Sequence, residues 1–558
     1  MIRPAGFRDY KTGTSLCYEF VHVLYREVLY RRIGPARKRK LHQSVAEKAE
    51  ALHVLTEADA AAELAYQFEQ GGDWPRAVKY LLSAADTAGR RFEPRQAAAI
   101  LEHTLELVSR LPEADRAGSE IELLQKLAAI YTNLFDQRAV ATYEALVSRA
   151  AHYGRADVEA RALPEMVLPI AQFSGVDQYM QTLERARDAL SRSGEGDTLH
   201  RAAMRVILKP RDRANDWEPK DLQEFKGLVA KVRESGDQRL LRELLHWSCY
   251  VLINSSEYRE AYGNAEESLA IALECCEENP YLGWDFTSYE HIVVKCLFLL
   301  GEWGEALRRN RQRAEVAKKN GNRENAAITE MERAWILIEA MDFAGSQQII
   351  ESALPLLAAI PLPHRTCLIL AGWAEAGLGN HERALEHLLT CRKEMDQLPM
   401  LADWHFRLTL QRALTEAWLS KGDLGKARAE AEEFLKITLT VQDRMARALA
   451  FEANARLAIA EQDFDRAQDF IARALKTMEG YEVPLAHWRV HATAAEFYQN
   501  SSDWDLAERH LELSRDTIMK LANSLPAEEP LRQTFLSAPM IRPILDNPKT
   551  AVRRAKLA

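Results

Sequence analysis

A six-residue pattern recurs along this chain and constrains its fold more than any other feature of the sequence. The pattern is a Gly or small polar residue, an acidic or amide residue, an aromatic residue or Leu, two variable residues and a final Ala. Clear copies begin at Gly72, Ser256, Gly301, Gly379, Gly422, Gln462 and Ser502, and a weaker copy begins at Met341. From Ala261 onward, the final residues of successive copies are 38 to 45 residues apart. This even spacing predicts a helical repeat protein.

Each copy is typical of the turn inside a helical hairpin. Gly or Asn after a helix adopts the left-handed conformation readily, and an acidic side chain then caps the next helix. The final Ala is expected where the two helices cross, because a larger side chain would hold them apart. The facing positions, twelve residues earlier, are also small or β-branched: Ala65, Cys249, Val294, Ala334, Gly372, Thr415, Ala455 and Ala495. The aromatic residue of each turn is predicted to close the hydrophobic end of its hairpin.

The pattern resembles the tetratricopeptide repeat. Gly372, Gly379, Ala384 and Leu388 stand at the spacing of that family's small, turn, Ala and hydrophobic positions. The family unit has about 34 residues, whereas the unit here has about 40. The predicted fold class is therefore all-α, a tetratricopeptide-like helical-hairpin superhelix or α-solenoid. We expect the longer helices to give a loose superhelix in which hairpins contact only their neighbours.

Composition excludes several classes of protein. The 558 residues are 47% hydrophobic and 28% charged, with a net charge of −9, which excludes collagen-like and wholly disordered chains. No apolar run has the length of a membrane span and no secretory signal is present at the N-terminus, so a cytoplasmic location is expected. The seven cysteines form no C-x-x-C pair, which favours reduced thiols over a disulfide framework.

The N-terminal segment differs from the repeats. Residues 1–48 carry eleven Lys or Arg and four acids, a net charge of +7. The sequence from Tyr18 to Ile33, the Arg/Lys run Arg37–Lys40 and the block from Ala62 to Phe92 closely resemble the end of the winged helix and the first repeats of bacterial STAND ATPases. These are signal-transducing regulators related to the maltose-regulon activator. The resemblance spans roughly residues 17–111 and implies a short winged-helix remnant here.

The resemblance implies a role for His22, because the corresponding His of the family reaches the β-phosphate of bound ADP and holds the inactive state. This chain, however, has no G-x-x-x-x-G-K-[ST] sequence. The resemblance therefore implies either the C-terminal arm of a STAND protein or the product of a split gene whose ATPase half is encoded elsewhere. In both cases the chain is expected to bind no nucleotide or other cofactor by itself. The alternative interpretation of His22 is a partly buried structural histidine that is hydrogen-bonded to a backbone carbonyl.

Other candidate sites are weaker. His487 and His491 have the i, i+4 spacing of metal ligands, but Trp488 replaces the Glu of H-E-x-x-H and no third ligand is evident. The basic run Arg37–Lys40 could contact nucleic-acid phosphates or be a solvated helix face. The basic residues Arg553, Arg554 and Lys556 are expected in a tail. No nucleophile arrangement is recognisable, so we expect neither catalytic residues, a metal site nor enzyme activity.

The sequence predicts four regions: a partial winged-helix remnant at 1–55, the first repeats at 56–205, further repeats of about 40 residues at 206–525, and a C-terminal tail at 526–558. The expected function is a non-catalytic interaction and sensor module of a STAND-type signalling regulator. It would bind a protein, peptide or effector on the repeat surface, with a separate ATPase half as a possible partner. The alternative function is a DNA-binding transcription regulator of the maltose-activator type. Membrane contact is not expected.

Overall fold

A computed structural model describes residues 2–10, 13–51, 58–91, 93–193, 202–204, 207, 219–275 and 286–546. Among these residues, the chain divides into two compact units, the first ending at Ala162 and the second beginning at Leu163. The division falls inside one helix, Ala156–Phe173. Each unit is built of helical hairpins, and the fold is the predicted all-α, tetratricopeptide-like repeat.

The first unit begins with a small antiparallel sheet, which the sequence did not predict. Strands β1 (Ile2–Tyr10) and β2 (Gly13–Phe20) pair from Ile2 opposite Phe20 to Tyr10 opposite Gly13. Helix α1 (Val23–Arg32) follows and contains no buried residue. In the sequence, the spacing of Phe20, Val23, Leu24 and Val28 predicts one apolar helical stripe that is exposed or incompletely covered. The prediction is wrong for Phe20, which lies in strand β2, whereas the other three residues lie on α1 and are exposed.

The remaining helices are numbered in chain order. In the first unit and the helix shared with the second they are α2 (Pro35–Ala51), α3 (Ala58–Gly71), α4 (Trp74–Arg90), α5 (Pro94–Val108), α6 (Glu113–Asn133), α7 (Arg138–His152) and α8 (Ala156–Phe173). In the second unit they are α9 (Val176–Ser193), α10 (Pro219–Ser235), α11 (Gln238–Asn254), α12 (Tyr258–Cys275), α13 (Phe286–Leu300), α14 (Trp303–Lys319), α15 (Arg323–Glu339), α16 (Phe343–Leu357), α17 (Pro361–Gly377), α18 (His381–Gln397), α19 (Asp403–Lys421), α20 (Leu424–Leu439), α21 (Arg444–Ala460), α22 (Phe464–Met478), α23 (Pro484–Asn500), α24 (Trp504–Ser524), α25 (Pro530–Ser537) and α26 (Arg542–Leu545).

Every copy of the six-residue pattern forms the turn of a hairpin. Its first residue has a positive φ in all eight copies, between 60° and 85°, whether that residue is Gly, Ser, Met or Gln. The following Asp caps the second helix in five copies, as when Asp463 Oδ1 accepts a hydrogen bond from the Arg466 N–H at 3.2 Å. The predicted turn chemistry is thus confirmed.

The predicted helix crossings are also present. The last residue of every copy is buried, and so is each small residue that faces it from the preceding helix. The Cys249 thiol donates to the Ala261 carbonyl oxygen at 3.4 Å, which joins one facing pair directly. Because backbone and small side chains meet there, the two helices approach closely.

The aromatic residues of the turns do not all close a hydrophobic end. Tyr258 and Trp303 are fully buried, but the Phe464 and Trp504 residues are 41% and 51% exposed. The prediction is therefore wrong for Phe464 and Trp504. Trp303 is less exposed than these two residues because a distant part of the chain covers it: the centroid of its ring lies 5.1 Å from that of the Phe535 ring.

The second unit does not contain only neighbour contacts, which corrects the expected loose superhelix. The Arg259 guanidinium pairs with the Glu482 carboxylate at 2.6 and 2.8 Å, across 223 residues of sequence. The Trp303 backbone N–H donates to Ser524 Oγ at 3.0 Å. The segment from Glu482 to Ser524 therefore reaches back to α12 and α14.

The region predicted as a C-terminal tail contains described helical structure up to Asp546. Leu531 and Phe535 of α25 are buried in the core of the second unit, and Glu529 pairs with Arg311 at 3.0 Å.

Four cysteines of the described residues have free thiols and are buried: Cys249, Cys296, Cys367 and Cys391. Within the described part of the chain, the helices are too short or too polar to span a bilayer.

Candidate functional site: a groove along the first helices

A groove of about 630 Å³ runs along the second unit. Its walls come from the first helices of successive hairpins (α15, α17, α19, α21 and α23), with α24 and the α25–α26 region closing one end. The groove is thus built from side chains that no single repeat could bring together. We call it the repeat groove.

The groove wall follows a fixed position of the repeat. Trp373, Glu416, Arg456 and Glu496 each directly follow the small residue of their first helix, and all four line the groove. Because successive residues of an α-helix are rotated by about 100° around its axis, this position lies about 100° away from the face that forms the hairpin crossing. The residue three places before the small residue points to nearly the same side, and Glu452 and Ala492 occupy that position. Aligning the repeats on their small residues would have revealed this face, a signal that the sequence analysis missed.

A buried charge cluster adjoins the repeat groove through Arg489 and the two indole rings Trp373 and Trp488. Glu339 lies between two arginines, with Oε1 at 2.8 Å from Arg412 Nη1 and Oε2 at 2.8 Å from Arg489 Nη2. The two positive charges lower the pKa of Glu339 although burial acts to raise it. Arg412 stacks on Trp373 at 4.4 Å and Arg489 on Trp488 at 4.2 Å. The cluster thereby fixes both indole rings that line the groove.

Several groove groups have hydrogen-bonding capacity to spare. The indole N–H of Trp488 is buried and has no partner among the described residues. The Glu496 side chain is exposed and makes no ion pair in the described part of the chain. By contrast, Glu416 accepts from the Trp373 indole at 2.8 Å and Glu452 from the Thr493 hydroxyl at 2.8 Å. Together with the exposed Met540 at the end of the groove, these groups offer both polar and apolar contacts.

His22, the predicted nucleotide contact, caps α1. Its Nδ1 accepts a hydrogen bond from the Leu24 N–H at 3.2 Å, and the side chain is exposed. The alternative interpretation required a partly buried His22, and the exposed side chain does not meet that requirement. The repeat groove lies in the second unit and includes no part of α1.

The two predicted metal candidates, His487 and His491, lie on α23. His491 Nδ1 is 2.7 Å from His510 Nδ1, one nitrogen donating and the other accepting, and His487 Nδ1 pairs with the Thr517 hydroxyl at 2.8 Å. Burial lowers the pKa of all three histidines. No group of three or more metal-ligating side chains occurs among the described residues. These histidines act as packed, hydrogen-bonded core residues.

The basic run Arg37–Lys40 lies on α2. Arg37, Arg39 and Lys40 are exposed, whereas Lys38 lies over the Tyr30 ring at 4.1 Å. Arg553, Arg554 and Lys556 lie outside the described residues.

The sequence matches no family model and no curated protein sequence. Among solved structures, a Rap protein complexed with competence and sporulation factor is similar at 12% identity, with 66% of this chain and 99% of that chain covered and a TM-score of 0.47. The APC/C hetero-tetramer Cut9–Hcn1 is similar at 14% identity, with 93% and 98% covered and a TM-score of 0.44. BtubC (BKLC) from P. vanneervenii is similar at 14% identity, with 49% and 95% covered and a TM-score of 0.28.

Proposed function

We propose that this chain is a non-catalytic protein-interaction module that binds a peptide segment of a partner protein in the repeat groove. The observation that carries the proposal is the juxtaposition, on α23, of the unpartnered Trp488 indole N–H and the exposed Glu496 carboxylate. A peptide carbonyl can accept from the indole, and a basic side chain can pair with the carboxylate.

The size and lining of the groove support a peptide ligand. Its volume of about 630 Å³ lies within the range of sites that hold a few side chains. Four acidic residues, Glu416, Glu452, Glu496 and Asp546, line it against two arginines, Arg456 and Arg489. We therefore expect a segment with one Lys or Arg and one apolar residue.

The test is selection of peptides from a random displayed library on the full chain, followed by affinity measurement of the selected peptides. We expect enrichment of Lys or Arg beside an apolar residue, and at least about tenfold weaker binding by the Glu496→Lys variant. The matched control is Glu386→Lys on α18, because Glu386 is exposed but does not line the groove. Selected peptides without a basic residue, or equal losses in the two variants, would reject the proposal.

We further propose that the module belongs to a STAND-type regulator, on the strength of the resemblance at residues 17–111. In that setting a separately encoded ATPase half would meet the N-terminal region, where Val23, Leu24 and Val28 are exposed. His22 would then contact bound ADP. Since His22 also caps α1, the informative variant is His22→Asn, which retains a capping side chain but removes the imidazole.

The corresponding experiment is ADP retention by a complex reconstituted with the cognate ATPase half. We expect His22→Asn to weaken retention roughly tenfold to a hundredfold, the value of a charge-assisted hydrogen bond. Equal retention by wild type and variant would assign His22 to helix capping alone.

A DNA-binding regulator is the second candidate, and the exposed Arg37, Arg39 and Lys40 on α2 favour it. Fluorescence anisotropy with labelled duplex DNA at increasing salt tests it. Affinity that falls steeply with salt and is lost in an Arg37→Gln, Arg39→Gln double variant would support this function. No binding at low salt would exclude it.

A further inference from the structure

A second cavity, of about 190 Å³, lies inside the second unit and is distinct from the repeat groove. We call it the chamber. Tyr258 of α12 and Asp443 before α21 both line it. A contact across 188 residues of sequence holds these two parts of the wall together, since the Ser256 hydroxyl, before α12, accepts from the Arg444 N–H at the start of α21 at 2.9 Å.

Most of the chamber wall is apolar and aromatic. Phe298, Trp335, Phe406 and Phe434 contribute rings, and Leu408 and Leu449 contribute aliphatic surface. A cavity of about 150 Å³ with such a lining holds a benzene molecule. The chamber therefore has room for a ring or a short branched chain and a small polar group.

Lys295 places an amino group in this apolar wall. Its Nζ lies 3.4 Å from His405 Nε2, and no carboxylate of the described residues lies within ion-pair distance. Burial lowers the pKa of Lys295 and holds the pKa of His405 well below its usual range. The neutral His405 ring accepts one Lys295 hydrogen, so the ammonium keeps two donors without partners.

Arg412 adds a second donor to the chamber wall. Its Nη1 pairs with Glu339 and its Nε with Glu416 at 3.2 Å, but its Nη2 is buried and has no partner among the described residues. A buried donor without a partner costs about 1–3 kcal/mol. A ligand with a hydrogen-bond acceptor would remove this cost by accepting from Arg412 Nη2.

The carboxylates of the wall are already engaged. Glu332 pairs with Arg313 and with His291 Nδ1, the latter at 2.6 Å. Glu339 is held by its two arginines, and Asp443 Oδ1 accepts from the Ala446 N–H at 2.9 Å. The carboxylates of the wall thus already accept from arginine, histidine or backbone groups, while Lys295 and Arg412 have donors without partners among the described residues.

We propose that the chamber is a binding site for a small monocarboxylic acid with a compact apolar body. The carboxylate accepts hydrogen bonds from Lys295 Nζ and Arg412 Nη2, and the apolar body packs against the ring of Phe298 and its aromatic neighbours. The chamber and the repeat groove are separate cavities that share Trp373, on which Arg412 stacks at 4.4 Å.

Isothermal titration of the full chain with benzoate tests the site, with benzyl alcohol as the neutral ligand of similar size. We expect saturable benzoate binding at one site per chain, at least tenfold tighter than that of benzyl alcohol. Absence of benzoate binding at millimolar concentration would overturn the proposal. Equal affinity for the two ligands would also overturn it, because the chamber would then act only as an apolar cavity.

Lys295→Met is the decisive variant, since it keeps the length of the side chain and removes the charge. Because no carboxylate of the described residues pairs with Lys295, its removal leaves no opposite charge without a partner, and circular dichroism would verify that the variant folds. We expect benzoate affinity to fall at least tenfold. The control is Lys436→Met, an exposed lysine paired with Glu433 on α20. Unchanged affinity in Lys295→Met, or an equal loss in the control, would overturn the assignment to the chamber.

Discussion

Gly372 of α17 and Ala384 of α18 meet so closely that a β-carbon added to Gly372 would lie 2.9 Å from the Ala384 carbonyl oxygen and 2.5 Å from Leu388 Cγ. The hairpin crossing is therefore set by the absence of a side chain on one helix and a single methyl group on the other. The same kind of contact, between two small residues of one hairpin, recurs through the repeats.

Gly372→Ala should accordingly lower the free energy of unfolding by about 1–3 kcal/mol through overpacking, and Ala384→Leu by a similar amount. The control is Gly227→Ala on α10, where an added β-carbon meets nothing within 4 Å. There the substitution should stabilise by about 0.5–1 kcal/mol, because Ala is the better helix former. Urea unfolding of the three variants measures the differences. Equal effects of Gly372→Ala and Gly227→Ala would contradict the crossing.

Glu339→Gln should destabilise the protein by about 3–5 kcal/mol, because Arg412 and Arg489 would remain buried without their shared negative charge. The matched control, Glu433→Gln, breaks an exposed pair with Lys436 and should change the free energy of unfolding by less than about 1 kcal/mol. Guanidinium unfolding at constant pH tests both variants. If Glu339→Gln and Glu433→Gln changed the free energy of unfolding by similarly small amounts, the charge cluster would not stabilise the fold beside the groove.

Gly304→Ala should loosen the contact between the start of α14 and the end of α24. The added β-carbon would overlap the Ser524 carbonyl oxygen, whereas at Gly425 on α20 it would meet only Asp423 Oδ1 at 3.7 Å. We expect faster amide hydrogen exchange at both α14 and the end of α24 in Gly304→Ala, and no such change in Gly425→Ala. Unchanged exchange at α24 would mean that the two ends do not stabilise each other.

Acidification should lower the free energy of unfolding, because the buried histidines of α23 and α24 bind protons more weakly in the folded protein than in the unfolded chain. Burial, with the neighbouring His487 and His510, lowers the pKa of His491 to about 3. The unfolded chain binds this proton below about pH 6.5 while the folded chain does not, so each pH unit of acidification between those values costs up to about 1.4 kcal/mol. Asp443 acts in the opposite direction, since burial raises its pKa to about 6.

The contribution of His491 is isolated by comparing wild type with His491→Gln. Between pH 6.5 and pH 4.5, the stability of the variant should fall less steeply, by about 1 kcal/mol per pH unit. Chemical denaturation at four pH values in this interval measures the slope. Parallel slopes would show that the imidazole is protonated in the folded protein.

The local structure of the repeats could be predicted from the sequence. The turn at Gln462 and Asp463 adopts positive φ and caps the next helix, and the facing pair Ala455 and Ala467 is buried, because these features depend on residues within one hairpin. The N-terminal sheet was missed because Phe20 lies in a segment whose apolar spacing also fits a helix. The exposure of Phe464 was missed because the cover of a turn aromatic comes from another hairpin.

Only the tertiary structure decided where the sites lie. Trp488 and Trp373 are 115 residues apart in sequence yet line one groove, and Lys295 and His405 are 110 residues apart yet touch in one chamber. Their meeting depends on how successive hairpins stack on one another, which lets the segment from Glu482 to Ser524 reach α12 and α14. The six-residue pattern determines each hairpin, but the stacking arises from packing between hairpins, which a pattern within one hairpin does not specify.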